Sequence, residues 1–502
     1  MLKKVRNITI FGGGTSGWLT AAYLINNLSV PTKITLIEDA SKGPIGVGEG
    51  TQPFTSKFLS RCNIFPKDWM KPSNAAFKYG VELIGWNDEP YFVDNDNPDN
   101  AVLAHDYYTS DYFIAKTKKE YFDWYPSYNL AKKNICQKYD DYLDVNFQMG
   151  PWDFGAVHFS AYDIIDTIKK LIFTKINYVD TKITQVLTDD DGITALVNED
   201  GTKYEADLFI DCSGFESILL EKTLREPFLP YKRWLANDSA MAMPVQYKDP
   251  EKECHPYTKA TAMTSGWRWT IPTYHRIGNG YVYSSDFISQ DQAETEFRTS
   301  LNDFDTPIKH LKMKTGYHKN IAKKNVCAVG LSAGFVEPLE ATGITFTTAV
   351  VEYITEQLNQ SGNVWSPTAH RRINQHFQMM SDEILAFVWA HYYYSSKSDT
   401  DYWKEIRNLK LEDLPEGSQK MISSLLPAPA RYFMYSPDSM FSVCQWFSML
   451  KAGGAYDNIE PYITEKQEQY GKYYTEAISN KNELAEKYFQ NHYNYLKGWY
   501  NG

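Results

Sequence analysis

The chain has 502 residues and a formal net charge of −11; 43% of its residues are hydrophobic and 23% charged. That length outgrows a single hydrophobic core and implies a large domain with a second body, while an acidic balance without a basic stripe excludes nucleic-acid binding through phosphate contacts. The six cysteines (Cys62, Cys136, Cys212, Cys254, Cys327, Cys444) are scattered without a CxxC pair, which argues against a disulfide framework or a zinc site.

No apolar run reaches membrane-spanning length and the amino terminus has no signal-peptide core, so a cytoplasmic chain without bound metal is expected. Aromatic residues reach 15%, enough to predict aromatic-lined pockets or a thick aromatic core. From the amino terminus, NITIF (Asn7 to Phe11) predicts a short buried strand running into Gly12-Gly13-Gly14-Thr15-Ser16-Gly17. The helical pattern WLTAAYLINNL follows, then a second strand, KITLIE, ending at Glu38. Strand, glycine turn, helix and acid fall in the register of a dinucleotide fingerprint. Gly12 permits the tight turn, Gly14 lets backbone approach a pyrophosphate, and Gly17 lets helix and strand pack closely. Thr15 and Ser16 open the helix, whose amino terminus favours phosphate, and Glu38 can accept hydrogen bonds from ribose hydroxyls. FAD or NAD is the predicted ligand.

The loop GVGEGTQP, with Gly48 and Glu49, is suited to passing close to a flat ligand. Ile183 lies on a predicted strand before the DDDG turn and is a candidate adenine contact. ADLFIDCSGFESIL (Ala206 to Leu219) reads as a buried strand and glycine turn of the kind that closes an FAD site in glutathione-reductase-like folds. GWRWTIP (Gly266 to Pro272) predicts an extended segment with Trp267 and Trp269 on one side. NVCAVGLSAGFVEPLEATGI (Asn325 to Ile344) predicts a strand, a glycine-rich turn containing Leu331, and entry into the helix TFTTAVVEYITEQL. From Val364 onward the pattern is helical and rich in aromatics.

GGGTSGW, GVGEGTQP, FKYGVEL, GWRWTIP, GFVEPLEATGI and HYYYSSKSDTDYW together resemble the flavin-dependent halogenases of the tryptophan-halogenase family, from Asn7 to about Trp403. The resemblance implies an α/β, glutathione-reductase-like FAD fold (1–360, a discontinuous nucleotide core with an inserted β-sheet) and a mainly helical substrate cap (361–502). It implies FAD, arriving as FADH2 from a flavin reductase, together with O2 and a halide ion. Hypohalous acid would then halogenate an electron-rich, indole-type aromatic substrate. Lys78 would receive the oxidant, either as an ammonium donor or as a haloamine, and Glu340 would stabilise the arenium ion and take its proton. Thr342 and Gly343 would bind halide through backbone N–H groups, Ile344 and Leu331 would lie by the flavin, and Trp267 with Trp269 would wall it from the substrate. Family members usually carry Ser where Ala341 stands, so a hydrogen bond to the lysine or the oxidant is missing. Glu337 is expected to have only a structural part.

The cap segment RYFMYSPDSMFSVCQWF has Tyr432, Phe433 and Trp446 but no Glu at the family spacing, which favours a simpler indole over free tryptophan. Leu331 and Cys212-Ser213-Gly214 stand where aromatic hydroxylases carry aspartates. That departure disfavours an FAD-dependent aromatic monooxygenase, the alternative on the same fold. A non-catalytic flavin-binding protein is the alternative of another class. The oligomeric state is open, a homodimer being one option.

Overall fold

The computed structural model describes residues 3–43, 49–95, 126–136, 156–426, 439–458 and 463–501. Strand β1 (Asn7–Phe11) feeds helix α1 (Thr15–Asn27), and β2 (Lys33–Glu38) returns beside β1 in parallel. Five parallel strands run Asn177–Asp180, β2, β1, Leu208–Asp211 and Val326–Ala328, with an antiparallel edge at Ala322–Lys323. Covered on both faces, β2 (KITLIE) is buried after its first residue, with Thr35 the one polar residue between Ile34 and Ile37. Asp211, at the end of its strand, accepts from the backbone N–H of Leu219 and Leu220 and ties the chain into the next turn.

Two glycines of the first turn are demanded by close packing. Gly12 has φ +118°, and a Cβ there would lie 2.2 Å from the Cys212 carbonyl oxygen; one on Gly17 would lie 1.9 Å from the Gly12 oxygen. The turn, the helix and the neighbouring strand end therefore meet through bare backbone.

A second, seven-stranded sheet is mostly antiparallel. Its order is Lys309–Lys312, Ser239–Val245, then β7, β6, β5, β3 and β4, where β3 is Gly80–Ile84, β4 Tyr91–Asp94, β5 Thr258–Met263, β6 Gly266–Pro272 and β7 Ile277–Tyr283. The two sheets share one continuous hydrophobic core with α1, helix α2 (Thr342–Gln360) and helix α3 (Pro367–Tyr393).

The residues after 360 are mainly helical. Helix α3 is amphipathic in its first half, but Met380 to Tyr392 is buried on every side. That buried half carries Phe387, His391 and Tyr392 into the interior, and helix α4 (Val443–Ala452) packs against it. Among the described residues no helix is long and apolar enough to cross a membrane.

Candidate active site

A cavity of about 570 Å³ runs from the glycine turn to the second sheet. At one end it is lined by Gly12, Gly14, Thr15, Ser16, Glu38 and Ile183, and at the other by Lys78, Glu340 and the two tryptophans of β6. A Cβ on Gly14 would meet nothing within 4 Å, so the turn leaves open space above the first turn of α1. That helix has no side-chain cap and no acid in its first turn, and its N–H groups remain available to an anion. Gly17 does not line the cavity; its part is packing. Glu38 is mostly buried, and its Oε1 accepts from Lys169 Nζ at 3.0 Å and the Tyr178 hydroxyl at 2.8 Å. A Cβ on Gly13 would strike Glu38 Oε2 at 1.5 Å, so the carboxylate lies directly against the turn. These features fit a dinucleotide such as FAD. Gly48 lies outside the described residues, and the backbone of Glu49 pairs with Phe159.

Lys78 directly follows the short strand Ala76–Phe77 and is wholly buried. Its backbone N–H donates to Ala156 O (3.0 Å) and Nζ donates to Thr51 O (2.8 Å). Glu340 sits in the turn just before α2, with φ +64°, followed by Ala341 at φ +55°. Left-handed backbone at two successive non-glycine residues costs about 1–3 kcal/mol each and survives only where the surroundings impose it. Here Gln52 Nε2 donates to Glu340 O at 2.6 Å, and the Ala341 N–H donates to Pro338 O at 2.9 Å. The Ala341 methyl lies 3.3 Å from where a Cβ on Gly50 would stand, so this turn is also packed tightly.

That backbone turns the Glu340 carboxylate inward, where neither oxygen has a hydrogen-bond partner among the described residues. Burial pushes its pKa up to about 7, with the Lys78 ammonium pulling it back. Burial likewise pushes Lys78 down to about 8, with Glu340 pulling it up. The two groups titrate as a pair close to neutral pH.

Thr342 and Gly343 open α2, which has no acid in its first turn and no side-chain cap. Both line the cavity, as do Ile344 and Leu331. Helix dipole and unpaired N–H groups at this point suit a small anion.

Trp267 and Trp269 face the cavity side by side, their ring centroids 6.3 Å apart and inclined at 61°. Small residues make room for them: Ala262 and Ala260 stand opposite on β5, and Val282 and Gly280 on β7. A Cβ on Gly280 would lie 1.9 Å from the Trp269 ring, so the indole lies flat on bare backbone. Trp267 Nε1 donates to Glu337 Oε1 at 3.0 Å. Glu337 also accepts from the Tyr392 hydroxyl (2.7 Å) and Asn237 Nδ2 (3.3 Å), and burial raises its pKa to about 7. Through these bonds it ties Trp267 to Tyr392 and Asn237.

On the cap side, Trp446 is fully buried edge-on to Phe387, at 4.6 Å, while Tyr432 and Phe433 lie outside the described residues. Two residues of this site fall inside motif stretches, Gln52 in GVGEGTQP and His391 in HYYYSSKSDTDYW, yet no motif announces the contacts they make. Gln52 fixes the Glu340 carbonyl, and its Oε1 accepts from Asn95 (2.6 Å) and from Gln445 of α4 (3.1 Å). His391 brings Nε2 to 3.6 Å from Glu340 Oε1. It opens the HYYYSSKSDTDYW stretch, but nothing in its spacing points to Glu340.

Residues 7–467 match the family model described as tryptophan halogenase. A tryptophan 6-halogenase of Streptomyces albogriseolus is 33% identical over 436 residues, covering 82% of this chain and 81% of that protein. The crystal structure of a tryptophan 6-halogenase from Streptomyces toxytricini superposes with a TM-score of 0.85 at 26% identity, covering 98% of this chain and 99% of that one. A flavin-dependent halogenase from Xanthomonas campestris gives 0.84 at 26% identity, over 99% and 98% of the two chains.

Proposed function

The chain belongs to the tryptophan halogenase family, and we propose that it halogenates an electron-rich, indole-type aromatic using FADH2, O2 and halide. Its main support is the buried Lys78–Glu340 pair, set with two tryptophans in the cavity that ends at the dinucleotide turn. Gly12, Gly14, Thr15 and Ser16 would hold the pyrophosphate of FAD, Glu38 the ribose and Ile183 the adenine, with Leu331 and Ile344 beside the flavin ring. When bound in its reduced form, delivered by a flavin reductase, the flavin supplies the two electrons that with O2 and halide yield hypohalous acid.

The chain's own residues guide that oxidant. Thr342 and Gly343 hold halide at the mouth of α2. Lys78, as an ammonium, donates to the oxygen of the hypohalous acid and polarises the oxygen–halogen bond. The aromatic carbon takes the halogen, the bonding pair leaves on oxygen, and positive charge develops in the ring. Glu340 stabilises that charge, then takes the proton as the C–H pair returns to the ring. The absence of a glutamate at the family spacing in the cap favours a substrate without the amino-acid head group.

Mass spectrometry of an indole and phenol panel with FAD, a flavin reductase, NADH and each halide tests the function. A halide-dependent mass gain is expected, with FAD and not NAD binding to the purified chain. Oxygenated products independent of halide would replace this reading with a monooxygenase.

Trp267 and Trp269 wall the flavin end from the substrate end in this proposal. Changing both to Ala is expected to cost packing energy of at most about 3–5 kcal/mol for each buried Trp. It should also lower the ratio of halogenated product to hydrogen peroxide, with the double Phe variant intermediate. An unchanged ratio in a folded variant would make the pair ordinary core.

A further inference from the structure

Glu340 presents to the cavity a carboxylate with no hydrogen-bond partner among the described residues, and the imidazole nitrogen facing it lacks one as well. His391 Nε2 lies 3.6 Å from Glu340 Oε1, both side chains fully buried, and neither atom has a hydrogen-bond partner among the described residues. The distance is slightly beyond hydrogen-bond range and closes with a small turn of the carboxylate. Burial pushes the imidazole down to about 3, so it is neutral and the contact is not an ion pair.

The tautomer follows from the other ring nitrogen. Nδ1 lies 2.9 Å from the hydroxyl of Tyr91 on β4. Among the described residues that hydroxyl has no other acceptor, and Phe387 and Trp86 pack around the imidazole. The phenol therefore donates to Nδ1, which leaves the imidazole proton on Nε2, pointing at Glu340. The opposite tautomer would set a lone pair against a carboxylate and leave the Tyr91 proton without an acceptor. The imidazole is held by the half of α3 that is buried on all sides, so its direction is fixed by packing.

We propose that His391 is a positioning residue for Glu340: Tyr91 sets its tautomer, and Nε2–H steers the carboxylate towards the substrate carbon. This rests on the assignment of Glu340 as the group that stabilises the arenium ion and takes its proton. At 3.6 Å the carboxylate is guided without being tied, and it stays free to accept a proton.

His391→Phe, which keeps an aromatic ring in the aromatic cage, is expected to lower kcat about 10- to 100-fold, the usual worth of a hydrogen bond to a charged group. KM for the aromatic substrate and the rate of flavin oxidation should stay within about twofold. His391→Gln places an amide N–H at the reach of Nε2 and should recover most of the loss. Tyr91→Phe should lower kcat in the native background and change nothing further in the His391→Gln background, where no tautomer needs setting. A His391→Phe enzyme with native kcat, a Gln variant no better than Phe, or a Tyr91→Phe effect equal in both backgrounds would each overturn the proposal. If His391→Phe does not fold, the Gln and Tyr91 variants decide it. Glu340→Gln, measured alongside, separates the two layers. Native turnover in that variant removes the assignment of Glu340 itself, whereas its loss beside an unaffected His391→Phe removes only the role of His391.

Discussion

Lys78→Ala is expected to lower halogenation about 10³-fold while flavin oxidation continues at nearly the native rate. The magnitude is that of a positioned proton donor acting in the transition state. Two effects coincide. The donor to hypohalous acid is lost, and Glu340 loses the neighbouring cation that holds its pKa down. A buried carboxylate without that cation keeps its proton to higher pH and cannot serve as base. Lys78→Met should show the same loss with less cavity formation, which separates chemistry from packing. Stopped-flow flavin oxidation, product analysis and thermal unfolding of both variants check this. Halogenation within tenfold of native in either would take Lys78 out of the mechanism, and parallel loss of FAD binding would make it structural.

Glu340→Gln is expected to lower kcat about 10²-fold with KM within about twofold, because the carboxylate meets charge that exists only near the transition state. Its pH behaviour is a sharper test. The native enzyme needs Glu340 ionised and Lys78 protonated, so single-turnover halogenation should fall on the acid side near pH 7 and on the alkaline side near pH 8. These limbs belong to the coupled pair. In Glu340→Gln the acid limb should vanish and the alkaline limb move to lower pH, since the carboxylate is what raises Lys78. If Lys78 worked instead as a haloamine, the rate would rise with pH through 8.

Stability carries the same sign. Glu340 is raised from 4.5 to about 7 on folding, so its stabilising contribution is complete below pH 4.5 and is lost as pH rises through 7. Glu340→Gln should therefore gain stability relative to the native chain across that interval. Denaturant midpoints at pH 5.5 and 8 measure it, and an unchanged difference would mean that Glu340 is not buried as described.

The strand–turn–helix unit at the amino terminus was legible in the linear sequence, because its signals are local. A strand, a glycine turn, a helix and a terminal acid must follow one another in fixed register, and Gly12, Gly17 and Glu38 are read within one short unit. The helical character after residue 360 was equally legible, from side-chain periodicity. Lys78, Glu340, Trp267 and Trp269 were singled out only by several motifs taken together, since a single lysine or a pair of alternating tryptophans carries little meaning.

How these groups are held emerges only from the packing. Trp269 needs the bare backbone of Gly280, Trp267 needs Glu337, the Glu340 carbonyl is held by Gln52, and His391 faces the Glu340 carboxylate. Apart from Trp269 and Gly280, which meet across adjacent strands, these pairings join elements far apart in the chain. No periodicity records them, because burial creates the demand for a partner and the fold alone chooses which residue meets it. Ala341 makes the same point for the backbone: nothing in an alanine announces a left-handed conformation, which the surrounding contacts impose.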